Sequence, residues 1–188
     1  MSIGKALQVI NRMAADGIIG AYAICGAVAA LNYIEPMATE DLDILISFDV
    51  QPASGLVTLG PIVGYLAAKG YSEWRKEGLM IEGWPVQFLP IADPLDQEAL
   101  DCAVEVEDRF GADGIVKTRV LSAEHIVAIA LRTGRSKDFL RIAVFVEEQA
   151  ADLDRLGEIL SRHGLRDAWC MFCRKSGLAD PLVGRSAP

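Results

Sequence analysis

The segment Thr39 to Ile46, TEDLDILI, sets two acids at the entrance of an unbroken apolar run. Ile44, Leu45 and Ile46 belong in a buried strand, and strand alternation turns Asp41 and Asp43 to one face and Leu42 and Ile44 to the other. A carboxylate in a buried strand is costly unless it is paired or holds a metal. The chain must therefore build a sheet, and it must give two neighbouring carboxylates something to do.

The rest of the first 121 residues supplies the partners for that strand. Leu7, Ile10 and Met13 recur at helical spacing in an amphipathic first helix. Tyr22 to Cys25 (YAIC) reads as a short strand ending at Gly26, followed by a small-residue helix, Ala27 to Tyr33, stopped by Pro36. The acidic strand spans Leu42 to Phe48. A loop covers Asp49 to Gly55, and a helix Leu59 to Lys69. Leu79–Glu82 and Pro85–Leu89, separated by Gly83-Trp84, read as a β-hairpin, and Leu95–Cys102 as a helix. Val104–Phe110 and Ile115–Leu121, joined by GADG, read as a second hairpin. From Ser122 onward every segment is helical: Ser122–Arg132, Lys137–Gln149, Asp152–His163 and Arg166–Lys175. The expected class is α+β: an α+β domain over residues 1–121, a helical bundle over 122–182 and a frayed tail over 183–188.

The chain carries a formal net charge of −8 and no basic run. That pattern argues against nonspecific binding to nucleic acid or to anionic membrane, because both rest on clustered Lys and Arg, and leaves room for a local basic site. No stretch approaches the ~18 apolar residues of a membrane span, and the N-terminus lacks the apolar core of a signal peptide. A cytoplasmic location is expected. Cys25, Cys102, Cys170 and Cys173 are too sparse for a disulfide framework, and the CxxC of Cys170 and Cys173 falls in a helix, as core cysteines do.

Two acceptor-only carboxylates on one strand face repel unless a cation lies beside them. Mg²⁺ suits such a pair, being held by one or two carboxylates and completed by water and substrate phosphates. Upstream, YAIC runs into Gly26, where a small residue lets a phosphate approach the backbone.

A small-residue turn opening a helix, followed by DxD on the next strand, resembles the nucleotidyltransferase superfamily with its polymerase-β-like palm. The matching residues are Cys25-Gly26, then Asp41 and Asp43, with Thr39 just ahead of the first acid. The segment LSAEHIVAIALRTGRSKDFLRI, Leu121 to Ile142, is similar to the corresponding helical region of the AbiEii-like and minimal nucleotidyltransferases. Ser122, Glu124, Gly134, Arg135, Lys137 and Asp138 carry that similarity, and PVQFLPIADPL resembles the family's hairpin and loop.

The resemblance implies a nucleotidyltransferase-type sheet with Asp41 and Asp43 as catalytic metal ligands. It also implies Mg²⁺ as the cofactor, a nucleoside triphosphate as ligand, and phosphate contacts from Cys25, Gly26 and Thr39. The nucleotidyl acceptor would be a hydroxyl, on RNA or protein, and some members of the family work beside an antitoxin partner. For Arg135 and Lys137 two roles stand side by side, contact to the triphosphate or the start of a helix. The family's third acid falls in PVQFL, where this chain has Gln87; Glu82 and Asp93 are the nearby acids that would replace it. With Gln87 in that place the alternative is a member that binds a nucleotide or a protein without turnover. His125 and His163 read as surface or half-buried helix residues, Trp74 and Trp84 as core or edge packing, and EVEDR as a solvated strand face.

Overall fold

The computed structural model describes residues 2–36, 39–48, 58–109 and 114–184. The chain opens with α1 (Ile3–Ala15), whose first turn is closed by Ser2 Oγ accepting from the Lys5 amide at 3.1 Å. Leu7, Ile10 and Met13 are fully buried, on the stripe their spacing predicts. β1 (Tyr22–Cys25) passes straight into a five-residue helix, α2 (Gly26–Ala30), and β2 follows at Leu42–Ile46. The helix expected over Ala27–Tyr33 thus begins one residue earlier and ends at Ala30, after which the Tyr33 amide closes a turn on the Ala30 carbonyl at 2.9 Å. The loop expected over Asp49–Gly55 lies outside the described residues, as do Met37 and Ala38.

The next elements are α3 (Gly60–Ala68), β3 (Trp74–Arg75), β4 (Gly78–Ile81), β5 (Trp84–Pro90), α4 (Pro94–Asp101), β6 (Val104–Arg109) and β7 (Ile115–Val120). The β4–β5 turn is Glu82-Gly83, not Gly83-Trp84: Ile81 pairs with Trp84, and both turn residues take positive φ, 50° and 85°. Two left-handed residues in succession are what a tight hairpin needs to match strand twist. β3 carries no sequence signal of its own, being two residues long and exposed. The connection GADG between β6 and β7 falls largely outside the described residues.

The described strands form a seven-stranded mixed sheet in the order β3-β4-β5-β2-β1-β7-β6. β2 runs antiparallel to β1 and parallel to β5, and β1 runs parallel to β7. The acidic strand is therefore central. Its register sets Cys25 opposite Asp43 on one side and Gln87 opposite Asp43 on the other. Neighbours in register share a face, so three side chains from three strands converge there.

The helical part comprises α5 (Ala123–Thr133), α6 (Ser136–Glu147), α7 (Leu153–Arg162) and α8 (Arg166–Ser176). Gly134 ends α5 in the left-handed conformation, φ 70°, which lets the chain turn at once into α6. Asp152 caps α7 through Oδ1, which accepts from the amides of Asp154 and Arg155. Ile126, Phe145, Leu160 and Trp169 belong to the same apolar cluster as Ile24, Leu42 and Val86 of the sheet. Among the described residues no helix is long and apolar enough to cross a membrane.

One polar knot joins α4, α5 and the end of α7. His125 is completely buried, in place of the expected surface or half-buried position, and its Nδ1 is satisfied by Ser122 Oγ at 2.9 Å. Its Nε2 stands 3.5 Å from Glu98 Oε1 without a hydrogen bond, while Arg162 and His163 take Oε1 and Oε2 of that carboxylate at 2.6 and 2.8 Å. Burial holds the His125 pKa below its ordinary 6.5, outweighing the pull of Glu98. The unfolded chain then takes up a proton that the folded ring resists, so this residue's contribution to stability falls as pH drops below 6.5. Urea midpoints of wild type and His125→Gln, each measured at pH 7.5 and 5.5, separate this loss from other titrations. The variant has no proton to gain there and is expected to lose less over the same range.

Candidate functional site

Asp43 lines a cavity of about 350 Å³ between the sheet and α5–α6. Leu45, Leu89, Ile126 and Ile129 supply apolar lining. Gln87, Glu77, Arg135, Asp138 and Arg141 supply polar lining. Cys25 and Gly26 close the end beside Asp43. Asp41 stands one residue before β2, where Thr39 Oγ1 donates to its backbone carbonyl at 3.1 Å and lies 3.3 Å from its Oδ1.

Gly26 is the tightest point of the site. Its φ is +63°, and a Cβ placed on it would fall far inside contact distance of Asp43 Oδ2. The missing side chain is what allows the carboxylate to lie against the β1–α2 junction. Cys25 contributes backbone, not chemistry: burial, and then the charge of Asp43, push its thiol well above the ordinary 9.0, so it stays protonated.

Burial and the charge of Asp41 raise the Asp43 pKa to about 6, against the opposing pull of Lys137, Arg135 and Arg141. Those cations arrive from the start of α6 and its second turn. Arg135 donates Nε to Asp138 at 2.7 Å, and Arg141 reaches the other oxygen of Asp138 at 3.4 Å. Asp138 is buried at the centre of this fork, which anchors both guanidinium groups. Lys137, Arg135 and Arg141 carry three positive charges against the one of Asp138, and the excess matches the two of Asp41 and Asp43. Asp43 itself has no hydrogen bond or ion pair among the described residues.

The structure thus gathers Cys25, Gly26, Asp43, Arg135 and Gln87 around one cavity, with Asp41 and Lys137 in electrostatic reach. It does not bring in either acid expected to replace Gln87. Glu82 accepts from Tyr71 Oη at 2.6 Å and lines a separate cavity with Lys5 and Arg12. Asp93 caps α4 by accepting from the Asp96 amide and pairs with Arg132, whose Nη2 also meets Asp96 at 2.8 Å. Arg132 is therefore committed to tying α5 to α4. Trp74 is exposed on the edge strand and Trp84 is half-buried against the core, so neither offers a ring to the cavity. Cys173 is buried in α8 as expected of a core cysteine, but Cys170 faces solvent.

Two residues of the site carry no expectation from the sequence. Arg141 lies four residues after Lys137, one helical turn on, and that spacing is the available signal. Glu77 belongs to the Lys76-Glu77 turn between β3 and β4, and accepts a hydrogen bond from Gln87 Nε2 at 3.1 Å.

Among the described residues no group of three or more His, Cys, Asp and Glu side chains is gathered as a metal site. The pair Asp41 and Asp43 nevertheless fits a hard cation: both donors are carboxylate oxygens, and burial together with the charge of Asp41 raises the Asp43 pKa, a cost that a bound cation would relieve. The chain matches no model of a known protein family and no curated protein.

Proposed function

We propose that this chain is a nucleotidyltransferase-type protein that binds Mg²⁺ and a nucleoside triphosphate at Asp41 and Asp43 and transfers the nucleotidyl group to a hydroxyl. The observation that carries this reading is Asp43, a half-buried carboxylate beside a second carboxylate, raised to about 6 and paired with no cation. A mixed sheet with the acids at the start of its central strand is the arrangement such a palm requires, and the order β5-β2-β1 supports it.

Asp41 and Asp43 would hold Mg²⁺, which when bound offsets charge on the phosphates. Gly26 gives the Asp43 carboxylate its room against the β1–α2 junction. Arg135 and Lys137, with Arg141 behind them, set a positive field across the same space. Leu45, Leu89 and Ile129 offer apolar surface in the same cavity. A second reading is favoured by Gln87, which sits in register beside Asp43 and cannot take a proton. On it the chain binds a nucleotide, or a protein such as an antitoxin, without turnover.

Calorimetric titration of Mg²⁺ with each of the four common nucleoside triphosphates tests the reading. Wild type is expected to bind at least one, and Asp43→Ala to bind it at least about tenfold more weakly, since a lost charge-assisted contact is worth about 1.5–3 kcal/mol. Absence of binding by wild type overturns the proposal.

A further inference from the structure

We propose that Glu77 is the carboxylate that accepts the proton of the attacking hydroxyl, standing in for the acid that Gln87 replaces; the inference rests on the nucleotidyl-transfer reading above. Asp43 and Gln87 are register partners on adjacent parallel strands, and Gln87 stands where the resemblance to nucleotidyltransferases implies an acid. An amide has no site for that proton at neutral pH. Gln87 instead donates Nε2 to Glu77 Oε2 at 3.1 Å, which holds the Glu77 carboxylate over the same cavity that Asp43 lines.

The local structure fixes Glu77 in that position. Arg75 pairs with Gly78, leaving Lys76 and Glu77 as a two-residue turn in which Lys76 takes φ 55°. Gly78 then lies so close to β5 that a Cβ on it would come within 2.9 Å of Pro85, which presses the turn onto the strand carrying Gln87. The cation adjacent in sequence is turned away, because Lys76 pairs with Glu40 at 3.2 Å. The described structure gives Glu77 a hydrogen bond from Gln87 and no ion pair, so its second oxygen is available to an incoming O–H.

In the step itself the hydroxyl oxygen forms a bond to the α-phosphorus. The bond from that phosphorus to the bridging oxygen breaks, and its electron pair leaves with pyrophosphate. The hydroxyl proton passes to Glu77, which returns it to solvent. Every atom of the acceptor and the triphosphate is thereby recovered in the nucleotidylated acceptor, pyrophosphate and one proton.

The test uses the full chain, Mg²⁺ and ATP labelled on its α-phosphate, with total tRNA and the protein itself as trial acceptors. ATP binding is measured separately by calorimetry. Glu77→Gln is expected to label about 10²–10⁴-fold more slowly while binding ATP within about threefold of wild type, as removal of a general base without loss of a binding contact should. The double variant Glu77→Gln, Gln87→Glu is expected to recover at least a tenth of wild-type labelling, because it restores a carboxylate beside Asp43. Labelling by Glu77→Gln at the wild-type rate overturns the assignment and leaves nucleotidyl transfer standing. No labelling by wild type overturns both, and weak ATP binding by Glu77→Gln equal to its loss of rate shows a binding role in place of the one proposed.

Discussion

Gly26→Ala is expected to abolish the proposed nucleotide binding and to destabilise the fold by about 2–4 kcal/mol, the sum of left-handed strain of about 1–2 kcal/mol and a steric conflict of similar size. The added methyl group would overlap Asp43 Oδ2. Neither backbone can yield easily. Gly26 follows β1, which is hydrogen-bonded between β2 and β7, and Asp43 is held in β2 between β1 and β5. The aspartate side chain must swing out of the cavity, taking its charge away from Asp41 and from the cations of α6. Urea unfolding and calorimetric titration on the same sample check both effects. Gly164→Ala is the control: it shares the positive φ, at 67°, but a Cβ there meets nothing within 4 Å. That variant is expected to lose about 1 kcal/mol through strain alone and to bind as wild type does. Equal loss of binding in both variants would show that the Gly26–Asp43 contact has no special role.

Asp43→Asn is expected to move stability and binding in opposite directions. Folding raises the Asp43 carboxyl from 3.8 to about 6, chiefly by burial and then by Asp41. Between those values the folded chain holds the proton more tightly than the unfolded one, so this group's contribution to stability rises as pH falls through 6 and levels off below 3.8. At pH 7.5 the full penalty of the ionised group is present, and the neutral amide removes it. The gain is about 1–3 kcal/mol, because each tenfold change in proton affinity is worth about 1.4 kcal/mol. For a chain of this length that corresponds to a rise in Tm of roughly 3–9 °C. The advantage is expected to vanish in scans near pH 4, where the folded-state aspartate and the asparagine are both neutral. The proposed Mg²⁺-dependent nucleotide binding is expected to be lost at either pH. Equal Tm values for the two proteins at pH 7.5 would contradict the desolvated, unpaired carboxylate on which the proposed site rests.

Local signals reveal most of the elements and few of their partners. Leu42–Ile46, the four C-terminal helices and the β4–β5 hairpin are legible because their periods and turn residues act over a few positions. The parallel pairing of β2 with β5, and of β1 with β7, leaves no local trace, because the pairing partners are separated by whole helices. Trp74–Arg75 is a strand only because Gly78 brings β4 against β5 and gives the edge something to pair with. The burial of His125 is likewise hidden, since helical spacing places it on a face without saying that Glu98 will arrive from α4. Within the site the acids are visible as charges in an apolar strand. The cations of α6 are half visible: Arg135 and Lys137 stand beside a helix-breaking glycine, while Arg141 lies one turn further into an ordinary amphipathic helix. Glu77 is invisible because its role depends on a turn folding over Gln87, which no local pattern encodes.

The order of the strands also dictates when the site comes into being. Asp43 and its neighbours Cys25 and Gly26 are in place within the first hairpin-like pair, but Gln87 must be carried back from β5 before the acidic face is walled. β1 acquires its second partner only at Val120, and Arg135 and Arg141 follow later still. Contacts so distant along the chain form late, because the intervening segment must be closed into a loop first. Arg135 and Arg141, whose charges oppose those of Asp41 and Asp43, join the cavity only when α6 packs against the sheet. The cavity is therefore a late product of folding, its two sides contributed by segments about a hundred residues apart along the chain.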